Sequence, residues 1–369
     1  MDKRTFLKNF LTLGCSTLIM NRVGALNIPF VSNHVLNPPL LTNNNVKLFV
    51  WGHGSPTTTY PDWIKYFDSL KSYGISEVIM AGEDAVLSAA IPPAKEAGIK
   101  VHAWTWIMNR PHDPIAAQHP EWFQVNRKGE SCFDKPPYVG YYKWVCPSKP
   151  EVQNHLRETA RRIATLEIES FHMDYVRYPD IILPEALQPN YNIVQDREFP
   201  EYDYCYCDDC RKEFKTLTGI DIHQVTDPTA NLEWRKYRYN SVTKVVKIIA
   251  EEVHKKNRKL TAAVFPHPEM SRRMVRQSWS EWPLDAAFPM IYQNFYNKDI
   301  QWIGDTVSKG VKEIKGRFPI YAGLFLPAFK NAEELNAAIE ISIRNGAAGV
   351  SLFADGNLKP ELVIPPTKS

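Results

Sequence analysis

The run Phe171-His172-Met173-Asp174-Tyr175-Val176-Arg177-Tyr178-Pro179 sets one acid beside an imidazole, a guanidinium and two phenols. It is mostly apolar up to Met173, so Asp174 falls where a buried strand would leave the core. A carboxylate held rigidly among aromatic rings suits chemistry on a sugar. It can serve there as nucleophile, as acid, or as stabiliser of an oxocarbenium-like centre. The plainer reading pairs Asp174 with Arg177 and lets the two only hold a loop.

Ordinary glycoside hydrolysis takes two carboxylates. Phe265-Pro266-His267-Pro268-Glu269 closes another apolar run and makes Glu269 the first choice for the second. Ala354-Asp355-Gly356 adds Asp355, and Gly82-Glu83-Asp84 adds Asp84. Asp84 and Asp355 equally suit the capping of a helix or turn. Aromatic residues gather at the ends of the same runs: Trp51, Trp104, Trp106, Tyr175, Tyr178, Tyr292, Phe295, Tyr296 and Phe325. Sugar rings stack their C–H faces on such side chains, while a few polar tips bind hydroxyls. The expected substrate contacts are therefore His53, Trp104, Trp106, His172, Arg177, Tyr178, His267 and Tyr292. Any one of these could equally be core packing; the cluster carries the signal.

Tyr204-Cys205-Tyr206-Cys207-Asp208-Asp209-Cys210 packs three thiols into six residues. Cys205, Cys207 and Cys210 could hold a structural zinc, with a fourth ligand from Cys132, Cys146 or a histidine. Disulfides or free thiols are the other readings. Catalytic zinc is unsupported, because the chain has neither HExxH nor a close His pair. No Walker sequence, strand-linked GxGxxG or GxSxG occurs either, so no cofactor is expected for catalysis.

These residues need a scaffold, and the periodicity supplies one. Short apolar runs recur at 47–51, 77–81, 100–107, 170–175, 259–265, 285–292, 318–326 and 346–353, bounded by Gly, Pro or Asn. Three-and-four spacing predicts helices over 62–73, 151–166, 234–257, 299–314 and 332–345. Gly74, Gly98 and Gly346 mark helix-to-strand turns. Eight alternations predict an α/β fold of the (β/α)8 TIM-barrel kind, with a doubly wound sheet as the lesser alternative. The long stretches 109–150, 179–233 and 266–283 follow strands 3, 4 and 5. That is the side on which such barrels carry their active sites. Asp285 opens its strand on the opposite face and is set aside.

Residues 1–25 read as an export signal. Lys3, Arg4 and Lys8 form a basic start, Phe10 to Met20 is apolar, and Val23-Gly24-Ala25 offers small residues for cleavage. Lys3-Arg4-Thr5-Phe6-Leu7-Lys8 resembles a twin-arginine signal with Lys in the first place, which leaves general secretion open. Leu13-Gly14-Cys15 resembles the end of a lipobox, so Cys15 could carry a lipid anchor, the one expected tie to a membrane. A buried amino-terminal helix is the alternative. The expected location is periplasmic or at the outer-membrane or cell surface. A linker over 26–45 and a single catalytic domain over 46–369 complete the division. The formal charge of +3 equals that of the first 25 residues, and the remaining 40 basic and 40 acidic groups balance. That balance disfavours a nucleic-acid partner.

Ordered stretches along the chain resemble one family. They are Ala94-Lys95-Glu96-Ala97-Gly98-Ile99-Lys100-Val101-His102-Ala103-Trp104, His119-Pro120-Glu121-Trp122-Phe123 with Asn126-Arg127-Lys128-Gly129, and Cys146-Pro147-Ser148-Lys149-Pro150-Glu151-Val152. His172 through Pro179, Trp279-Ser280-Glu281-Trp282 and Pro289-Met290-Ile291-Tyr292 follow. Together, over about residues 47–355, they resemble the glycosyl hydrolase-like family 10 barrels of exported bacterial proteins. The resemblance implies a TIM barrel acting on glycans. The family often shows two acids where this chain has Asp174-Tyr175. The expectation is thus a glycoside hydrolase cutting an O-glycosidic bond in an extracellular or envelope polysaccharide or oligosaccharide. A carbohydrate-binding barrel without turnover is the alternative.

Overall fold

The computed structural model describes residues 46–82 and 84–354. The export segment, the linker and Asp355 lie outside the described residues. Eight strands alternate with helices: β1 (Lys47–His53), β2 (Glu77–Ala81), β3 (Lys100–Trp106), β4 (Ser170–Asp174), β5 (Lys259–Val264), β6 (Ala286–Pro289), β7 (Tyr321–Phe325) and β8 (Gly349–Phe353). They run parallel in the order β6-β5-β4-β3-β2-β1-β8-β7. The seam between β6 and β7 is closed by parallel bridges Ala287–Ile320 and Met290–Gly323. The Ile291 N–H donates across it to the Gly323 carbonyl at 2.9 Å. The chain is therefore the (β/α)8 TIM barrel that its periodicity predicts.

Alternation along each strand sorts residues between two cores. Phe49, Trp51, Ile79, Ala263, Phe288, Tyr321, Phe325 and Phe353 fill the barrel. Their neighbours Leu48, Val50, Val78, Met80, Val101 and Ala103 pack outward under the helices. The foot of the barrel is polar and hydrogen-bonded in sequence. Lys47 Nζ meets Glu77 at 3.2 Å, and Glu77 Oε2 meets His102 Nε2 at 2.8 Å. His102 Nδ1 meets the Ser170 hydroxyl at 2.6 Å, and Thr261 links Ser170 (3.0 Å) to His172 Nδ1 (2.8 Å). Buried polar groups are tolerated when partnered in this way.

The helices are α1 (Tyr60–Ser72), α2 (Asp84–Ala97), α3 (Pro150–Ile163), α4 (Asp208–Thr218), α5 (Leu232–His254), α6 (Pro268–Val275), α7 (Gln301–Ile314) and α8 (Ala332–Arg344). In α1, Thr59 accepts from the Asp62 N–H while Trp63, Phe67 and Leu70 face inward. Asn231 and Asn331 cap α5 and α8 in the same manner. Gly74, Gly98 and Gly346 have φ of 76°, 75° and 99°, as the turns into the next strands require. Three helices, α2, α4 and α6, fall outside the predicted set. Pro92-Pro93 reads as a breaker, yet α2 passes through both because Val86, Leu87, Ala90 and Ala94 are buried along it. No helix among the described residues is long and apolar enough to cross a membrane. The excursions after β3, β4 and β5 all leave from the carboxyl end of the barrel, so their residues meet over its mouth.

Candidate active site

Asp174 is the last residue of β4 and only 8% exposed. Its Oδ1 accepts the Tyr175 N–H at 2.7 Å, and its Oδ2 accepts the Trp104 Nε1–H at 3.0 Å. Tyr175 takes the left-handed backbone conformation, φ 49°, which turns the chain sharply off the strand. A bulky residue there costs about 1–3 kcal/mol, so the surroundings must enforce it. Burial pushes the Asp174 carboxyl above its ordinary range. The Tyr175 N–H, the Arg177 charge and the Trp104 N–H pull the other way without prevailing. A carboxyl so placed keeps its proton further toward neutrality and can donate it.

Trp104 also lines a cavity of about 850 Å³ over β1 to β3 that opens between α2 and α3. His53, Trp106, Tyr175 and Phe353 share its wall, so Asp174 stands one hydrogen bond behind it. The His53 ring lies 5.2 Å from Trp104, and the Trp106 ring 4.6 Å from Tyr175. Tyr292 stacks near Phe353 at 5.9 Å; burial first, and then the Asp174 charge, hold its hydroxyl proton. Four expected substrate contacts, His53, Trp104, Trp106 and Tyr292, therefore stand about the mouth near Asp174.

Others do not. The structure corrects Tyr178, whose side chain is fully buried with its hydroxyl against Ser241 Oγ at 2.9 Å. It corrects His172 too: that ring is sealed inside the barrel between Trp51 and Phe288, 5.0 Å from each. A side chain inside a packed barrel cannot reach a ligand at its mouth. Arg177 pairs with Asp180 at 3.1 Å rather than with Asp174. Its guanidinium lies among the Trp144, Phe265 and Tyr175 rings at 4.8, 5.1 and 5.3 Å, so it clasps the loop. His267 is the cap of α6, its Nδ1 accepting from the Met270 N–H at 3.4 Å, and burial lowers its pKa to about 4. Glu269 sits exposed in the first turn of α6, away from the cavity wall.

The cavity wall also holds Asp84, an acid already offered by the sequence, and two residues its spacing did not single out, Asp113 and Asn109. Among the described residues its wall carries two acids, Asp84 and Asp113. Asp84 is in an ion pair with Arg162. Asp113 takes His155 Nε2 at 2.6 Å, Arg110 at 3.5 Å and two backbone N–H groups at 3.0 Å. Burial opposes its charge, but His155, Arg110 and the backbone hold it well below the usual carboxylate range. Asn109 lines the cavity with Oδ1 accepting the Lys143 N–H at 3.0 Å. Its buried Nδ2 has no protein partner and can donate to a ligand oxygen. The only sequence signal for Asn109 was its place just after Trp106-Ile107-Met108.

The cysteines lie apart from this cavity. The sulfurs of Cys205, Cys207 and Cys210 converge with that of Cys146, all within 4.8 Å of one another. Cys132 stands elsewhere, its Sγ bonded to the Trp144 backbone at 3.3 Å.

Solved structures share this architecture. The catalytic domain of a β-amylase from Paenibacillus polymyxa matches with a TM-score of 0.61 at 12% identity, over 88% of this chain and 95% of that one. Alpha-L-fucosidase isoenzyme 2 from Paenibacillus thiaminolyticus gives 0.55 at 15% identity, over 86% of this chain and 48% of that one. The chain thus spans about half the length of that fucosidase. At such identities the likeness establishes the barrel alone. No protein-family model matches the chain, and no curated protein matches it in sequence.

Proposed function

We propose that the chain is a glycoside hydrolase of the glycosyl hydrolase-like family 10 kind, acting on an extracellular or envelope polysaccharide. Asp174 is its proton donor. The carrying observation is that carboxyl's place: buried at the end of β4, raised in pKa, and tied to a wall of the aromatic cavity by Trp104. Trp104 and Trp106 would stack on sugar faces, with His53, Tyr292 and Asn109 beside them for hydroxyls. The second carboxylate is sought at Asp355, two positions beyond the end of β8 in sequence, and at Glu269. Export by the amino-terminal segment, with or without a lipid at Cys15, would bring the barrel to such a substrate. The solved barrels most relevant to this reading carry the names of an amylase and a fucosidase.

A binding barrel without turnover is the second reading. It is favoured by one observation: both acids on the described cavity wall are committed to ion pairs. A panel of poly- and oligosaccharides separates the two when tested with the wild type, Asp174→Asn, Asp355→Asn and Glu269→Gln. For a hydrolase, Asp174→Asn should lose at least about 10²-fold in turnover while still folding and binding. Binding by every variant with hydrolysis by none supports the second reading. Near-normal turnover by Asp174→Asn removes Asp174 from the mechanism.

A further inference from the structure

We propose that Cys146, Cys205, Cys207 and Cys210 bind one zinc ion as four thiolates and so lock the β3–α3 excursion to the β4–α5 excursion. Cys146 comes 61 residues before Cys207, so only the fold brings them together. Its sulfur lies 3.7 Å from that of Cys207 and 3.4 Å from that of Cys210. Zinc–sulfur bonds of about 2.3 Å in a tetrahedron place the sulfurs about 3.8 Å apart. A disulfide would need about 2.05 Å. All four sulfurs are buried, none is in a disulfide, and all lie within 4.8 Å of one another. Four soft ligands in a closed shell leave no open position for a reacting water, which is the build of a structural site.

The surroundings suit thiolates. Cys207 precedes the first turn of α4 and Cys210 lies within it, where helical N–H groups favour negative charge. The Val125 N–H points at Cys205 Sγ at 3.4 Å. Lys149, next to the excursion's end, is mostly buried and pairs with Asp209 of the same helix. On binding, the four thiols give up their protons to solvent and donate four electron pairs to the ion; nothing is oxidised or reduced. Cys132 is no ligand, since its sulfur is taken up by the Trp144 backbone. The zinc would stiffen the two excursions whose residues Asn109, Trp144, Tyr175 and Arg177 wall and support the cavity.

The test uses the full chain purified without chelator. Elemental analysis should find one zinc per chain, retained in Cys132→Ser and lost in Cys146→Ser. Stripping the zinc should expose four more thiols to a colorimetric thiol reagent and lower the melting temperature. If Cys146→Ser fails to fold, cobalt(II) exchanged into the wild type provides the second reading. Four thiolates around it give intense thiolate-to-metal and visible ligand-field bands. Iron in place of zinc, alkylation-resistant disulfides, four reactive thiols before stripping, or a cobalt spectrum without those bands would each overturn the assignment. These measurements are read without a glycan and stand or fall apart from the hydrolase reading.

Discussion

At the scale of the residue, two neighbouring groups of β4 show how depth decides chemistry. His172 and Asp174 both point into the barrel, but two residues further along the strand lifts Asp174 from the packed interior to its mouth. Its proton affinity is a balance in which burial wins over the Trp104 N–H. Trp104→Phe keeps a ring at the cavity wall and removes that N–H. A hydrogen bond to the charged form lowers a pKa, so its loss must raise the Asp174 value further. If Asp174 is the proton donor, the upper limb of the kcat/KM profile moves to higher pH in Trp104→Phe. A limb that stays in place, measured over several substrates, dissociates Trp104 from the acid. The sign for stability is the same. Folded Asp174 holds its proton more tightly than unfolded, so its contribution is lost as pH rises from the ordinary carboxylate range through the folded value.

At the scale of the element, the weak place is the seam. β6 has four residues and meets β7 through two bridges, where the other neighbours pair along whole ladders. Gly323 sits in that seam because a Cβ there would stand 2.8 Å from the Pro289 carbonyl oxygen. The clash is with backbone, so the strands must part. Gly323→Ala should lose about 1–3 kcal/mol in urea unfolding. Gly140→Ala, with nothing within 4 Å of its added methyl, should stay within about 0.5 kcal/mol of the wild type. Equal midpoints for the two variants would show that β6 gives way freely.

At the scale of the whole molecule, the barrel closes on itself between β1 and β8, with Lys47 in register with Gly349. Among the described residues, that pairing and the inner core are made from Lys47 onward. A chain beginning at Asn27 should therefore express as a folded protein and unfold cooperatively, as followed by circular dichroism and urea. Failure to fold would assign residues 1–25 a structural task and count against their reading as an export signal.

How much of this could be read in advance follows from which contacts are local. Strand positions, most helices and the placing of long excursions at one barrel end depend on patterns of two, three and four residues, which a single sequence displays. Asp174 was legible because its exit from an apolar run is local, and so was the thiol cluster at Cys205, Cys207 and Cys210. Tyr178 and His172 were misplaced because depth depends on which distant elements cover a residue: Ser241 of α5 for one, Trp51 and Phe288 for the other. Arg177 has Asp180, not Asp174, as its partner because the left-handed turn at Tyr175 redirects the chain between them. The sequence by itself determined the barrel, through hydrophobic periodicity, and the exit of Asp174 at the end of a strand. Only the tertiary structure decided which side chains meet there and that Cys146 joins the other three, because closing loops of many residues places groups that no local spacing relates.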